Sequence, residues 1–86
     1  MSVIQAALRE ADKPIHSGAG FLFRIETKTG KSYRAGVYSD EKSVKESGVV
    51  RLDLWPLEPV EGKDDGPIGR QLFLAEDAIE SVEIEW

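Results

Sequence analysis

Apolar and polar residues alternate in several short stretches of this chain, and the periods assign most of its elements. Phe21, Phe23 and Ile25 alternate with Leu22, Arg24 and Glu26. That period of two predicts a half-buried strand over about residues 21–27. Tyr33, Ala35 and Val37 repeat the pattern against Ser32, Arg34 and Tyr38, which predicts a second strand over about 31–38. Thr29-Gly30 supplies a tight turn between them, because glycine takes a positive φ at no steric cost. The two strands are therefore expected to pair as an antiparallel hairpin. Val50, Leu52 and Leu54 alternate with Arg51, Asp53 and Trp55 in a third strand over about 49–55, which Pro56 ends. A fourth strand is expected over 70–74 and a fifth, rich in β-branched residues, over 79–84. Ala75-Glu76-Asp77 turns the chain between them.

Near the start the period changes. Ile4, Ala7, Leu8 and Ala11 fall at i, i+3, i+4 and i+7, one apolar stripe on a helix over about 3–12. Ser2 is suited to cap it and Gln5 completes the spacing of a capping box. Pro14 disfavours helix at Lys13. The stripe is narrow and alanine-rich, so the helix is expected to lie on the β domain rather than inside it. Residues 39–48 are polar and charged and read as a loop with at most one helical turn. Residues 56–69 hold Pro56, Pro59 and Pro67 with Asp64-Asp65. In a compact domain a loop this long is functional or mobile. Ser17-Gly18-Ala19-Gly20 is a flexible connection. A phosphate-cradling loop needs a strand before it and a helix after it, whereas here a strand follows.

One helix and five short strands predict a mainly β domain spanning 1–86, a small, strongly bent antiparallel barrel with a short N-terminal α-helix. SH3-like, Sm-like and OB barrels all have that count, and periodicity does not choose among them. A chain of 86 residues buries a modest core, which makes oligomerisation a natural source of stability. There is no cysteine. That excludes disulfides, thiolate zinc sites and a cysteine nucleophile, and it fits the cytoplasmic location we expect. No apolar run approaches the roughly 18 residues of a membrane span. The opening Met-Ser-Val-Ile-Gln lacks the basic flank and apolar core of an export signal, so neither a membrane partner nor a leader is expected.

The formal net charge of -5 argues against nucleic-acid binding through a diffuse field. The charge is uneven, however. Arg9, Lys13, Arg24, Lys28, Lys31 and Arg34 outnumber Glu10, Asp12 and Glu26 in residues 1–38, and the acids lie mostly beyond. A particle with one basic side and a chance distribution both fit that pattern.

Residue order adds a resemblance. Gly20, Phe23, Ile25, Glu26, Lys28, Gly30, Tyr33 and Ala35 resemble the first motif of the Sm-like (LSm) family, with Ala35 in place of the usual glycine and Gly36 beside it. Gly69, then Leu72-Phe73-Leu74, Ile79 and Val82 resemble the second motif in spacing. The resemblance implies an Sm-like barrel, similar to SH3-like barrels, that assembles into a homo-oligomeric ring. It places the joint between strand four of one copy and strand five of the next, at Leu72, Phe73, Leu74, Val82 and Ile84. Both are expected to be open edges, and the fifth strand has no Pro or Lys to block pairing.

The resemblance also implies single-stranded RNA as ligand, bound by the loop after strand two and the turn after strand four. Here those positions are Asp40, with Lys42 and Lys45 from a lengthened loop, and Ala75 and Glu76. The chain departs from the family there. It has no asparagine, and Ala75-Glu76 stands where Arg-Gly is expected, so an anion replaces a cation that meets phosphate. Two functions follow: an RNA-binding or RNA-processing accessory with a modified pore, or a structural or adaptor ring that binds protein and has lost the RNA site. The family resemblance favours the former, with Lys28, Lys31 and Arg34 clustered near the first hairpin, whereas the acidic balance and the Ala75-Glu76 change favour the latter. Tyr38, Trp55 and Trp86 are the aromatics left for base stacking. Core packing or a neighbouring copy are the other roles open to the tryptophans.

An enzyme is not expected. His16 is the single histidine, in a loop without a sequence partner. Asp64-Asp65-Gly66 lacks the further ligands of a cation site, and no metal or cofactor is expected. Glu80, Glu83 and Glu85 read as a solvated strand face.

Overall fold

The computed structural model describes residues 2–16 and 20–86. Helix α1 spans Val3–Ala11, and a 3-10 turn follows at Pro14–His16. Strands β1 (Leu22–Thr27) and β2 (Ser32–Val37) form the hairpin. Helix α2 (Glu41–Ser47) leads into β3 (Val49–Trp55). After the long loop come β4 (Gln71–Ala75), a 3-10 turn at Glu76–Ala78, and β5 (Ile79–Glu85). All pairings are antiparallel, in the order β4-β3-β2-β1-β5.

The hairpin forms as its residues dictate. Gly30 has φ 86° and donates its N–H to the Thr27 carbonyl at 3.0 Å, while Thr27 N–H reaches the Lys31 carbonyl at 2.8 Å. This is a three-residue loop whose last position is left-handed, a role suited to glycine. Phe23 lies opposite Ala35, and both are fully buried. A small residue faces a large one across the hairpin, the complementarity that close packing of a core requires.

One face of the sheet carries Phe23, Ile25, Ala35, Val50 and Leu52, with Ile79 at the start of β5. Ile4 and Leu8 of α1 and Val44 of α2 complete that core. As expected, α1 lies on the sheet. Ser2 accepts the Gln5 N–H at 3.3 Å as N-cap. The Gln5 side chain does not return to Ser2, as a capping box requires; it donates to Glu76 Oε2 at 2.8 Å.

Two expectations are corrected. The polar stretch after β2 is a helix of 7 residues, α2, capped by Asp40 and ended by Gly48 at φ 71°. The second is the barrel, which does not close: β4 and β5 are the two edges of an open sheet. Neighbouring strands twist by about 20–25°, so four steps turn β5 by roughly 80–100° from β4. The two edges are joined through the turn at Glu76–Ala78 and do not pair with each other.

Candidate nucleic-acid interface

The positions expected to meet RNA fall at the two ends of α2. Asp40 precedes the helix in extended backbone, and its Oδ1 accepts the Ser43 N–H at 2.7 Å. That bond, helped by the Lys42 charge, holds the carboxyl below its ordinary range. Lys42 and Lys45 are exposed and line an open recess of about 420 Å³ with Asp12, Asp40 and Glu41. Glu41 is held low by its pair with the Arg9 guanidinium. Neither lysine is in an ion pair among the described residues.

Ala75 and Glu76 lie at the other end. Ala75 closes β4 opposite Val49, and Glu76 N–H donates to the Gly48 carbonyl at 2.9 Å. The Glu76 carboxylate accepts from Gln5 Nε2 and, at 2.7 Å, from Ser2 Oγ. These bonds hold its pKa low, Gln5 contributing most. A carboxylate at the start of α1 also complements the helix dipole. The structure thus gives Glu76 a structural role: it ties the first turn of α1 to the β4–β5 corner. It brings Ala75 and Glu76 to Gly48, whereas Asp40 and Lys42 stand a helix length away, about 10 Å for seven residues.

The residues expected at an oligomer joint divide by face. Leu72, Leu74, Val82 and Ile84 are half-buried against the core, so their side chains serve this copy's own interior. Phe73 points to the opposite face and is 65% exposed.

Sequence reading missed an ion cluster. Arg34, grouped there with exposed basic residues, is 5% exposed. Its Nε donates to Glu85 Oε2 at 3.1 Å and its Nη2 to Glu85 Oε1 at 3.0 Å. Asp65 receives Nη1 at 2.9 Å and Nη2 at 2.8 Å, and the Pro56 carbonyl takes Nη1 at 3.2 Å. All guanidinium N–H groups are used. The guanidinium also lies 5.7 Å from the Trp55 ring centroid.

Asp65 and Glu85 are both held low, chiefly by the hydrogen bonds from Arg34, and the Arg34 pKa is raised in return. Glu85 also accepts from Arg24 Nε at 3.2 Å, so it is not part of a solvated strand face as expected. Asp65 is likewise an Arg34 partner. The cluster pins the loop over the outer face of the sheet. No spacing rule could find it, because its partners come from separate segments.

Trp86 meets Phe21 edge-on, with ring centroids 5.9 Å apart. Ser17, Gly18, Ala19 and the His16 side chain lie outside the described residues. Among the described residues no group of three His, Cys, Asp or Glu side chains is placed to hold a metal, and no helix is long and apolar enough to cross a membrane. Fold and site define a small, mainly β module: one bent antiparallel sheet with two free edges and helices on its inner face. Comparison with family models, with curated proteins and with solved structures gives no match.

Proposed function

We propose that this chain is a cytoplasmic, homo-oligomeric Sm-like ring protein that serves as an RNA-binding or RNA-processing accessory. The observation that carries the reading is the pair of free edges, β4 and β5. Backbone groups alternate in direction along a strand. Leu54 N–H donates to the Arg70 carbonyl, so Leu72 and Leu74 turn their backbone groups to β3. Gln71, Phe73 and Ala75 turn theirs outward. By the same alternation from Thr27, Val82 and Ile84 present theirs at the edge of β5. Edges of 5 and 7 residues without Pro or Lys invite pairing with another copy. Such a joint is head-to-tail and closes as a ring when the rotation permits.

Lys42 and Lys45 are the cations offered to RNA. A second reading, an adaptor ring that binds protein, is favoured by the commitments of Asp40, Glu76 and Arg34, which leave few polar groups for RNA at the expected positions.

Light scattering on the purified protein, with its absorbance ratio, tests the assembly. Ala75→Pro is the matched variant. Ala75 already has φ -63°, which proline adopts, and the variant removes an outward N–H. The wild type is expected as an oligomer and Ala75→Pro as a smaller species. A wild type that is strictly monomeric at micromolar concentration sinks the ring. Oligouridylate and oligoadenylate binding across a salt series then separates the RNA reading from the adaptor.

A further inference from the structure

Strand register sets three planar side chains side by side on the face of the sheet turned away from α1. Arg51 lies opposite Phe73 across β3 and β4. Tyr38 follows β2 directly, and its N–H donates to the Arg51 carbonyl at 3.0 Å. That bond extends the β2–β3 register one pair beyond Val37 and Leu52. Tyr38, Arg51 and Phe73 therefore form a row across three strands, with about 4.8 Å per step. Tyr38 is 64% exposed and Phe73 65%. The Arg51 guanidinium lies 5.5 Å from the Tyr38 ring centroid and donates to Gln71 Oε1 at 3.3 Å. The Tyr38 hydroxyl meets Asp53 Oδ2 at 3.4 Å.

Ion pairing distinguishes Arg51 from three other arginines, although Lys42 and Lys45 are also outside ion pairs among the described residues. Arg9, Arg24 and Arg34 each face a carboxylate. Arg51 has none in ion-pair range among the described residues. A guanidinium over one open aromatic ring, with a second exposed ring opposite it in the register, suits a ligand that alternates flat faces with negative charge. Single-stranded nucleic acid has that form: bases stack on the rings and a phosphate meets the guanidinium. Tyr38 and Phe73 are two strand spacings apart, about 9–10 Å, which allows one base over each ring with a phosphate between.

We propose that Tyr38, Arg51 and Phe73 form a stacking platform for single-stranded nucleic acid, distinct from Lys42 and Lys45. The proposal rests on the nucleic-acid reading above for its ligand class and needs no ring. A second copy pairing along the β4 edge uses backbone groups and leaves this face open.

Anisotropy of short labelled oligouridylate and oligoadenylate at low salt provides the test. Tyr38→Ala and Phe73→Ala are each expected to weaken binding about tenfold, while Phe73→Tyr retains it. Arg51→Gln is expected to lower the salt slope by about 0.7, and Arg51→Lys to keep the slope. All three positions of change are at exposed side chains, and far-UV circular dichroism checks that each variant stays folded. No binding by the wild type at low salt overturns the proposal. Binding that survives Tyr38→Ala and Phe73→Ala but is lost in Lys42→Gln with Lys45→Gln overturns the platform and leaves the RNA reading standing. A Phe73→Ala variant that loses oligomer mass with oligonucleotide affinity unchanged assigns Phe73 to a protein contact and also overturns it.

Discussion

Replacing Arg34 with methionine removes a buried cation and all its hydrogen bonds while keeping most of its volume. Asp65, Glu85 and the Pro56 carbonyl lose their partner. Breaking a buried ion pair from one side costs about 3–5 kcal/mol. The carboxylates here are one-third open to water, with 33% and 37% of their side-chain surface exposed. Glu85 also keeps its bond from Arg24. Rehydration therefore moves the expected loss to the lower end, about 3 kcal/mol. For a domain of this size that lowers the melting midpoint by roughly 12–24 °C.

The assay is urea unfolding followed by far-UV circular dichroism and by tryptophan fluorescence, to which Trp55 reports directly from beside the guanidinium. Acid gives an internal control. Asp65 and Glu85 have lowered pKa values in the folded chain. Their contribution is full above the unfolded carboxylate values, about 4, and is lost as pH falls through the folded ones. The gap between wild type and Arg34→Met is thus widest near neutrality and narrows in acid. A loss below about 1 kcal/mol, or a gap independent of pH, refutes the assignment of Arg34 as the fastener of the loop.

Two further outcomes follow from the packing. Phe23→Ala empties the centre of the core and is expected to cost about 3–5 kcal/mol, which calorimetry reads as loss of most of the unfolding transition; a shift of a few degrees would place the core elsewhere. Gly48→Ala forces a side chain into the left-handed region at φ 71° and is expected to cost about 1–2 kcal/mol, with α2 amides exchanging faster by hydrogen exchange than those of β1.

What was legible in the sequence was local. The alternation at Phe23 and Ile25 gives β1 its buried face, and Gly30 gives the turn its left-handed residue. The stripe at Ile4 and Leu8 gives α1. Helix α2 was hidden because only Val44 is buried in it, so no apolar period marks it. Its signals were end signals, an Asp40 cap and a Gly48 stop. The burial of Arg34 had no local trace, since Asp65 and Glu85 lie far along the chain and only the folded loop brings them together. Barrel closure depends on accumulated strand twist, which no residue pattern records. Of the expected RNA positions, Lys42 and Lys45 stay open, while Asp40 and Glu76 are taken by a helix cap and a helix tether. The Tyr38–Arg51–Phe73 row was written in the alternation, but it becomes a row only through register.

Because each N–H of the Arg34 guanidinium already has its acceptor, the cluster has no spare valence. A change at position 65 or 85 alone strands donors in a nearly closed space, and a change at 34 alone leaves Asp65 to water and Glu85 to water and Arg24. The three positions therefore behave as a single hereditary character: chains built on this plan are expected to keep the set intact or to exchange it whole, and any that shorten the loop must drop the arginine in the same step.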